Sequence, residues 1–235
     1  MKSLEKMNIK NLILKNLSET VYGEIESHLE EVEMLPTEYL YLPKEKIKYI
    51  YFPETSVISI VTCLENGESV EAGIVGKEGV VGASIVFADD VSPTEATIQL
   101  GGIGYRMKVA AFKDYFDDNK EFRNAVLYYV YSFIAQISQN SACLCHHTIE
   151  KRLARWLLMF SDRADSEKLV LTQQFIAQML GVKRPSVSIN ANKLQQMELI
   201  SYNRGTIKIL NRTGLENLTC ECYDEINKSL KGFSV

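Results

Sequence analysis

The chain has 235 residues, of which 46% are hydrophobic, 24% charged and 9% aromatic, with 13 glycines and 5 prolines. This composition is typical of a folded globular protein with one large or two small domains, and it excludes disordered and collagen-like chains. The net charge of −4 is unevenly divided: residues 1–120 contain 12 basic and 20 acidic residues, whereas residues 121–235 contain 14 and 10.

No apolar stretch reaches the ~20 residues that a membrane-spanning helix needs. The N-terminal residues intersperse lysines among apolar side chains and lack the features of a signal peptide. We therefore expect a cytoplasmic protein without a membrane partner. In such a protein the odd number of cysteines favours reduced thiols. The five cysteines are Cys63, Cys143, Cys145, Cys220 and Cys222.

The first 35 residues place apolar side chains at helical spacing as far as Leu29 and Val32, and Ser18 is well placed to cap a helix. From Tyr39 to Met107, short stretches rich in Val, Ile, Tyr and Thr alternate with turn signals. Residues 56–62 and 69–75 flank an Asn-Gly turn and predict a hairpin. With no helix-length crossovers between strands, this region predicts an antiparallel roll or barrel-like sandwich.

Residues 121–145 contain neither Gly nor Pro and predict one long helix. One stripe of apolar residues alternates steps of four and three, with Asn140 filling one position, which is the seam pattern of a coiled coil. The predicted dimerisation residues are Val126, Val130, Phe133, Ile137, Asn140 and Leu144. A second stripe, Leu127, Tyr131 and Ile134, is predicted to dock against the β domain. The alternative is a helix that is simply buried in the core.

Residues 171–210, LTQQFIAQMLGVKRPSVSINANKLQQMELISYNRGTIKIL, have helix-turn-helix spacing. The sequence predicts a first helix capped by Thr172 and a second that starts near Pro185. Gly181 permits a left-handed turn between them. Asn190 departs from the pattern, which expects an apolar or small residue there. The buried positions are predicted to be Ile176, Ala177, Leu180, Val187, Ala191 and Leu194.

A β-hairpin follows the second helix, with Asn203-Arg204-Gly205 at its turn, and predicts a wing. Residues 168–212 contain seven basic residues and one acidic residue, which favours binding to a polyanion. Arg184 is suited to read guanine, while the lysines contact phosphates. The alternative is a winged helix that binds another protein. The predicted DNA-binding residues are Thr172, Gln173, Lys183, Arg184, Pro185, Ser186, Ser188, Lys193 and Arg204.

The order of β-roll, long helix and winged helix-turn-helix resembles the Crp/Fnr superfamily of bacterial transcription regulators. The resemblance rests on LTQQFIAQMLGVKRPSV, LQQMELISYNRGTIKIL and, in the roll, GIVGKEGVVG. It implies an α+β fold with a jelly-roll-like sensor domain over 1–118, a dimerisation helix and hinge over 119–146, and a winged helix-turn-helix over 147–235. It also implies a homodimer that binds an inverted-repeat operator in double-stranded DNA and acts on RNA polymerase.

Cyclic-nucleotide-binding members of this superfamily carry a Glu for the ribose and an Arg for the cyclic phosphate. This sequence has Ala83-Ser84-Ile85 and Thr94-Glu95-Ala96 at those places, so we expect no cAMP or cGMP binding and leave the effector unknown. Exposed backbone amides could still bind another anion, although glycines that permit a tight turn are favoured. The candidate effector-pocket residues are Gly79, Gly82, Ala83, Ser84, Thr94 and Glu95.

Two clusters, Cys143-Leu144-Cys145-His146-His147 and Cys220-Glu221-Cys222, raise the question of a metal. Their one-residue gaps differ from common zinc spacings, and helical geometry sends Cys143 and Cys145 in diverging directions. We therefore predict structural thiols, no metal and no cofactor, with a thiol- or metal-responsive regulator as the alternative. His28 is the only histidine outside the pair, and no nucleophile elbow, P-loop or dinucleotide fingerprint occurs, so no enzyme activity is expected.

Overall fold

The structure is a computed structural model that describes residues 6–87 and 90–230. A short 3-10 helix, Lys6–Asn8, precedes helices α1 (Leu12–Asn16) and α2 (Glu19–Glu26). Ser18 caps α2 as predicted, accepting a hydrogen bond from the Val21 amide. The helical spacing does not continue to Val32, because Glu30–Met34 form strand β1. This correction has a tertiary cause: β1 pairs along its length with a later strand, and pairing overrides local periodicity.

The roll consists of two antiparallel sheets, as the sequence predicts. Its further strands are β2 (Tyr39–Tyr41), β3 (Tyr49–Pro53), β4 (Val57–Cys63), β5 (Ser69–Val75), β6 (Glu95–Leu100) and β7 (Gly102–Lys108). One sheet has the order β1-β7-β3 and the other β2-β6-β4-β5. The predicted hairpin is β4–β5, although its strands first pair at Cys63 and Ser69, so its loop is longer than the Asn-Gly dipeptide.

Three helices follow the roll: α3 (Val109–Asp118), α4 (Lys120–His146) and α5 (Ile149–Ala164). Asn119 caps the 27-residue α4, accepting from the Phe122 amide at 3.0 Å. Thr148 caps α5 after a break at His147. The long helix therefore has the bounds that the absence of Gly and Pro indicated.

The faces of α4 are exchanged relative to the sequence prediction. Val126, Val130 and Asn140, predicted to form a dimer seam, are buried against this chain's own roll and α5. Phe133 packs on the same core, while Ile137 and Leu144 are half-buried. The stripe predicted to dock the roll is instead exposed: Leu127 is 39%, Tyr131 64% and Ile134 55% accessible.

The C-terminal region combines helices with a three-stranded antiparallel sheet of order β8-β10-β9. Its elements are β8 (Lys168–Val170), α6 (Gln173–Met179), α7 (Arg184–Gln196), β9 (Ile200–Asn203), β10 (Thr206–Ile209), α8 (Arg212–Leu218) and α9 (Cys222–Leu230). Strand β8 is an addition to the predicted two-stranded wing. It pairs with β10 through Leu169 opposite Ile207, and both side chains are buried.

One apolar cluster crosses from the roll to the C-terminal region. Val57, Val61 and Ile74 of β4 and β5 share it with α5, α6 and α7. At its edge the Trp156 indole donates a hydrogen bond to the buried carboxylate of Glu71 at 2.9 Å. The two regions are therefore packed against each other within one chain. None of the described helices is long and apolar enough to cross a membrane.

Candidate nucleic-acid interface

The helix pair α6–α7 is built by the local signals that the sequence contains. The Thr172 hydroxyl caps α6 by accepting from the Phe175 amide at 3.1 Å. Gly181 adopts φ +59° in the turn, a left-handed conformation that glycine takes without steric cost. Pro185 lies at the start of α7, where the missing amide hydrogen needs no partner. These features orient the two helices as predicted.

The predicted inward face of the pair is buried. Ile176, Ala177 and Leu180 of the first helix and Val187, Ala191 and Leu194 of the second are all at most 2% exposed. Asn190 is accommodated because its side-chain amide donates to the Ser186 carbonyl at 2.8 Å. Its polar group therefore has a partner without entering the core.

The first turn of α7 presents positive charge to solvent. Lys183 and Arg184 are exposed, and Lys193 is exposed two turns further along. Within the part of the chain that the structure describes, none of these three cations forms an ion pair. Lys183, the N-cap residue, makes no side-chain capping hydrogen bond. The positive end of the helix dipole and two exposed cations therefore coincide, which favours an anionic ligand.

The wing carries a further cation next to this helix pair. Asn203 pairs with Thr206, so Arg204 and Gly205 form a two-residue turn, with φ values of +45° and +80°. Gln195 of α7 anchors the wing by accepting from the Tyr202 amide at 2.7 Å. The Leu171 amide donates to the Gly205 carbonyl at 2.7 Å, which brings the start of α6 to the turn. Exposed Arg204 thus projects beside the residues predicted for DNA contact.

Some predicted residues are less accessible than the sequence indicated, and others were missed. Gln173, Ser186 and Ser188 are half-buried, whereas Pro185 and Thr172 are exposed. Ile189, which is 59% exposed, and Asn192 also lie on the outward face of α7, although neither was predicted to contact DNA. Projecting the helical period of 3.6 from Pro185 would have found both.

Not all of the basic segment is free to bind a polyanion. Arg212 at the start of α8 forms ion pairs with Asp162 at 2.5 Å and Glu216 at 2.9 Å. The Tyr223 hydroxyl donates a hydrogen bond to the same Asp162 carboxylate at 2.7 Å. Arg212 therefore stabilises the packing of α8 on α5, and its charge does not contribute to the exposed face.

The helix pair also contacts the roll directly. Gln178 of α6 donates to the Ser69 hydroxyl at 2.8 Å, and a side chain at Gly181 would meet Val70 at 3.1 Å. Both contacts are made at the start of β5. The β4–β5 hairpin thus contacts α6 and the turn of the helix pair.

The glycines of the candidate effector segment serve helix packing. A Cβ at Gly79 would lie 2.3 Å from the Tyr129 ring of α4, and one at Gly76 would lie 2.8 Å from Arg163 of α5. Gly82 adopts φ +95° at the start of the 3-10 helix Ala83–Val86. Ala83 is buried, Ser84 exposed, and Thr94 and Glu95 half-buried. Among the residues that the structure describes, surface cavities lie near Glu24 and His28 and near Lys46 and Lys113.

The structure brings four chemically reactive side chains together at the end of α4. Cys143, His147, Cys220 and Cys222 place one donor atom each within 4.8 Å of the others. Cys145 is exposed on another face of α4, as helical geometry predicts. The Cys143–Cys220 contact holds the pKa of Cys220 below its usual range, while the same contact and burial raise the pKa of Cys143.

An antiparallel roll, a long helix and a helix-turn-helix with a three-stranded wing define a fold that ends in a winged-helix domain. Residues 151–218 match the Crp-like helix-turn-helix domain family. The chain thus carries a Crp-like helix-turn-helix domain. No curated protein sequence matches it.

Solved structures share this fold at low sequence identity. FixK2 from Bradyrhizobium japonicum superposes with a TM-score of 0.70 at 17% identity, covering 82% of this chain and 98% of that chain. The c-di-GMP responsive global regulator CLP of Xanthomonas campestris gives 0.69 at 14% identity, with coverages of 82% and 99%. A CRP-family transcriptional regulator of Thermus thermophilus gives 0.67 at 19% identity, with coverages of 79% and 95%.

Proposed function

We propose that this chain is a homodimeric, sequence-specific DNA-binding transcription regulator that recognises an inverted-repeat operator and acts on RNA polymerase. The observation that carries the proposal is the pair of exposed cations at the first turn of α7, Lys183 and Arg184, beside the exposed cation of the wing, Arg204. Helices of this motif enter the major groove by this end.

The residues of this surface have different roles in the proposal. Arg184 donates two hydrogen bonds to the O6 and N7 atoms of a guanine, which selects the base. Lys183, Lys193 and Arg204 contact phosphates and supply affinity that is independent of sequence. Exposed Ile189 provides an apolar surface suited to a thymine methyl group.

The dimer forms through the exposed stripe of α4. Leu127, Tyr131 and Ile134 follow steps of four and three, as coiled-coil seams do, and Ser138 and Ser141 continue the same spacing with small side chains. Two-fold pairing along this face would place two copies of α7 for half-sites about one helical turn, ~34–36 Å, apart. An inverted repeat is the operator that such a dimer reads.

The regulator does not depend on a cyclic nucleotide in this proposal. Thr94 and Glu95 offer no cation to a cyclic phosphate, and the nearby Glu95 carboxylate would repel it. At Gly79 the ring of Tyr129 packs so closely that an added Cβ would lie 2.3 Å from it. We therefore expect specific DNA binding without cAMP or cGMP.

Selection from a pool of random double-stranded DNA tests the proposal. Purified reduced protein at near-physiological salt, without added ligand, should enrich an inverted repeat with two half-sites. The selection is then repeated after oxidation and with cAMP or cGMP. Enrichment only under one of these conditions would show that DNA binding depends on an effector. Enrichment of no sequence under any of these conditions would contradict the proposal and favour a winged helix that binds another protein.

A further inference from the structure

The Cys/His cluster lies where the C-terminal end of α4 meets the segment between α8 and α9. Cys143 lies in the last turn of α4, and His147 ends the helix with its amide donating to the Cys143 carbonyl at 3.1 Å. Cys220 and Cys222 approach from the opposite side. The three cysteines are at most 4% exposed, and the His147 side chain is 18% exposed.

Two of the donor–donor distances match those of a tetrahedral metal site. Zn–S bonds of about 2.3 Å and Zn–N bonds of about 2.0–2.1 Å place two sulfurs about 3.8 Å apart, and a sulfur about 3.6 Å from a nitrogen. The Sγ atoms of Cys143 and Cys220 are 3.6 Å apart. The Sγ atom of Cys222 lies 3.4 Å from Nδ1 of His147. With all four donor atoms within 4.8 Å of one another, small side-chain shifts would bring them to one ion.

Neighbouring polar groups orient these donors. The Nε2 atom of His147 lies 3.4 Å from the Glu221 carboxylate, which leaves Nδ1 directed at the cluster. Metal-binding histidines commonly donate their other ring nitrogen to a carboxylate in this way. Gln139 donates its side-chain amide to the Cys222 sulfur at 3.1 Å, a contact that a thiolate strengthens.

The charges around the cluster suit a bound divalent cation with three thiolates. On binding, three thiol protons pass to solvent, and the ion with its ligands carries a net charge of −1. Arg152 and Arg155 of α5 are 7% and 3% exposed, and within residues 6–87 and 90–230 neither forms an ion pair. Both guanidinium groups lie close enough to Cys143 to interact electrostatically with it. The two buried cations attract the negative charge of the loaded site, which favours binding of the ion with three thiolates.

We propose that Cys143, His147, Cys220 and Cys222 form a closed structural zinc site that joins the end of α4 to the start of α9. Four protein ligands leave no open position, which is the pattern of structural sites. Iron–sulfur clusters divide their protein ligands among two or four iron atoms, so donors grouped within 4.8 Å of one another favour a single ion. This proposal replaces the interpretation of these residues as structural thiols, and it does not depend on DNA binding.

Metal analysis of the full chain tests the site. Protein purified with a non-chelating phosphine reductant should contain one zinc ion per chain by elemental mass spectrometry. Cobalt(II) replacing zinc should give visible d–d bands of a tetrahedral site and thiolate-to-cobalt charge-transfer absorption. Because cobalt is added to the unmodified chain, this measurement does not depend on a variant that folds.

Variants separate this site from the other thiols. Cys222→Ser should lose stoichiometric zinc, whereas Cys145→Ser, which removes an exposed thiol from the same helix, should retain one ion per chain. Glu221→Gln should weaken zinc affinity by roughly 10-fold, as the loss of a carboxylate that orients a ligand does.

Three outcomes would overturn the proposal. The first is a chain without zinc that also gives no cobalt–thiolate absorption. The second is substoichiometric metal that brief EDTA treatment removes without a change in circular dichroism. The third is a Cys143–Cys220 disulfide, found by alkylation and peptide mass spectrometry in protein purified without oxidant, in place of the metal.

Discussion

Arg163 on α5 forms a buried ion pair with Glu78 of the roll, with 2.6 Å between Nε and Oε1. The Arg163 side chain is 3% and the Glu78 side chain 10% exposed. Glu78→Leu should lower the free energy of unfolding by about 3–5 kcal/mol, because it leaves a buried guanidinium without its partner. Urea denaturation measures the change. The double variant Glu78→Leu/Arg163→Met should recover most of the loss, and a double variant as unstable as the single one would contradict this explanation.

Because α4 packs closely on the roll, replacing glycine by alanine should destabilise the protein at this contact but not at an open position. Gly79→Ala should destabilise the fold by about 1–3 kcal/mol, since the new Cβ would lie 2.3 Å from the Tyr129 ring. Gly23→Ala is the matched control, because Gly23 lies in α2 with no atom within 4 Å of an added Cβ. That change should stabilise the protein by about 0.5–1 kcal/mol. Equal effects in thermal unfolding would show that contact with Tyr129 is not the cause.

The buried carboxyl of Glu71 predicts a pH dependence of stability. Burial raises the pKa of Glu71, opposed by hydrogen bonds from Ser59 and Trp156. Because its pKa is higher in the folded than in the unfolded chain, its contribution is complete below the unfolded pKa and is lost as pH rises through the folded pKa.

Glu71→Gln should therefore become increasingly stable relative to the unmodified protein as pH rises from about 4 to 7, by about 1.4 kcal/mol per unit of pKa elevation. Urea unfolding at several pH values measures the difference. Glu65→Gln, which removes an exposed carboxylate of the same hairpin, controls for the change in net charge. A stability difference that shrinks with rising pH would refute the role given to burial.

Substitutions in α7 should separate base reading from phosphate contact. Arg184→Ala should cost about 1–3 kcal/mol of operator binding and relax the preference at one base pair. Lys193→Ala should weaken all sequences alike and reduce the slope of log affinity against log salt by about 1. Fluorescence anisotropy with operator variants at several salt concentrations distinguishes the two. Lys15→Ala, which removes an exposed cation of α1, is the control, and unchanged binding by Arg184→Ala would support a protein-docking surface.

The exposed stripe of α4 predicts the position of the dimer contact. Tyr131→Glu should raise the dimer dissociation constant at least 10-fold, about 1.4 kcal/mol, because the charge would be buried against the partner helix. Analytical ultracentrifugation over a range of concentrations measures it. Tyr39→Glu, at a tyrosine that is 56% exposed on the roll, should leave assembly unchanged. Dimers of unchanged strength would exclude this face.

Local signals in the sequence identify most elements, because caps and turn residues act within a few positions. Thr172, Gly181 and Pro185 place the helix pair, and Gly205 places the wing. Strand β1 was missed because its cause, pairing with β7, lies some 70 residues along the chain.

Periodicity alone could not assign the two stripes of α4. Both the Val126 stripe and the Tyr131 stripe alternate steps of four and three, so each is compatible with a seam. Which stripe is buried depends on which face of α4 meets β5. At that contact the Gln136 side chain accepts a hydrogen bond from the Ile74 amide and donates one to the Ile74 carbonyl. The meeting of the two Cys/His segments could not be predicted for a similar reason, since Cys143 and Cys220 are 77 residues apart.

The turn of the wing carries a positive charge at a position where an arginine lowers its stability. Its first position requires the left-handed region, which Asn or Gly adopts readily, yet Arg204 stands there at φ +45°. A side chain of this kind costs about 1 kcal/mol in that conformation. Arg204→Gly should therefore make the hairpin more stable and weaken binding of the protein to polyanions, so selection for thermal stability alone would remove the positive charge of the wing.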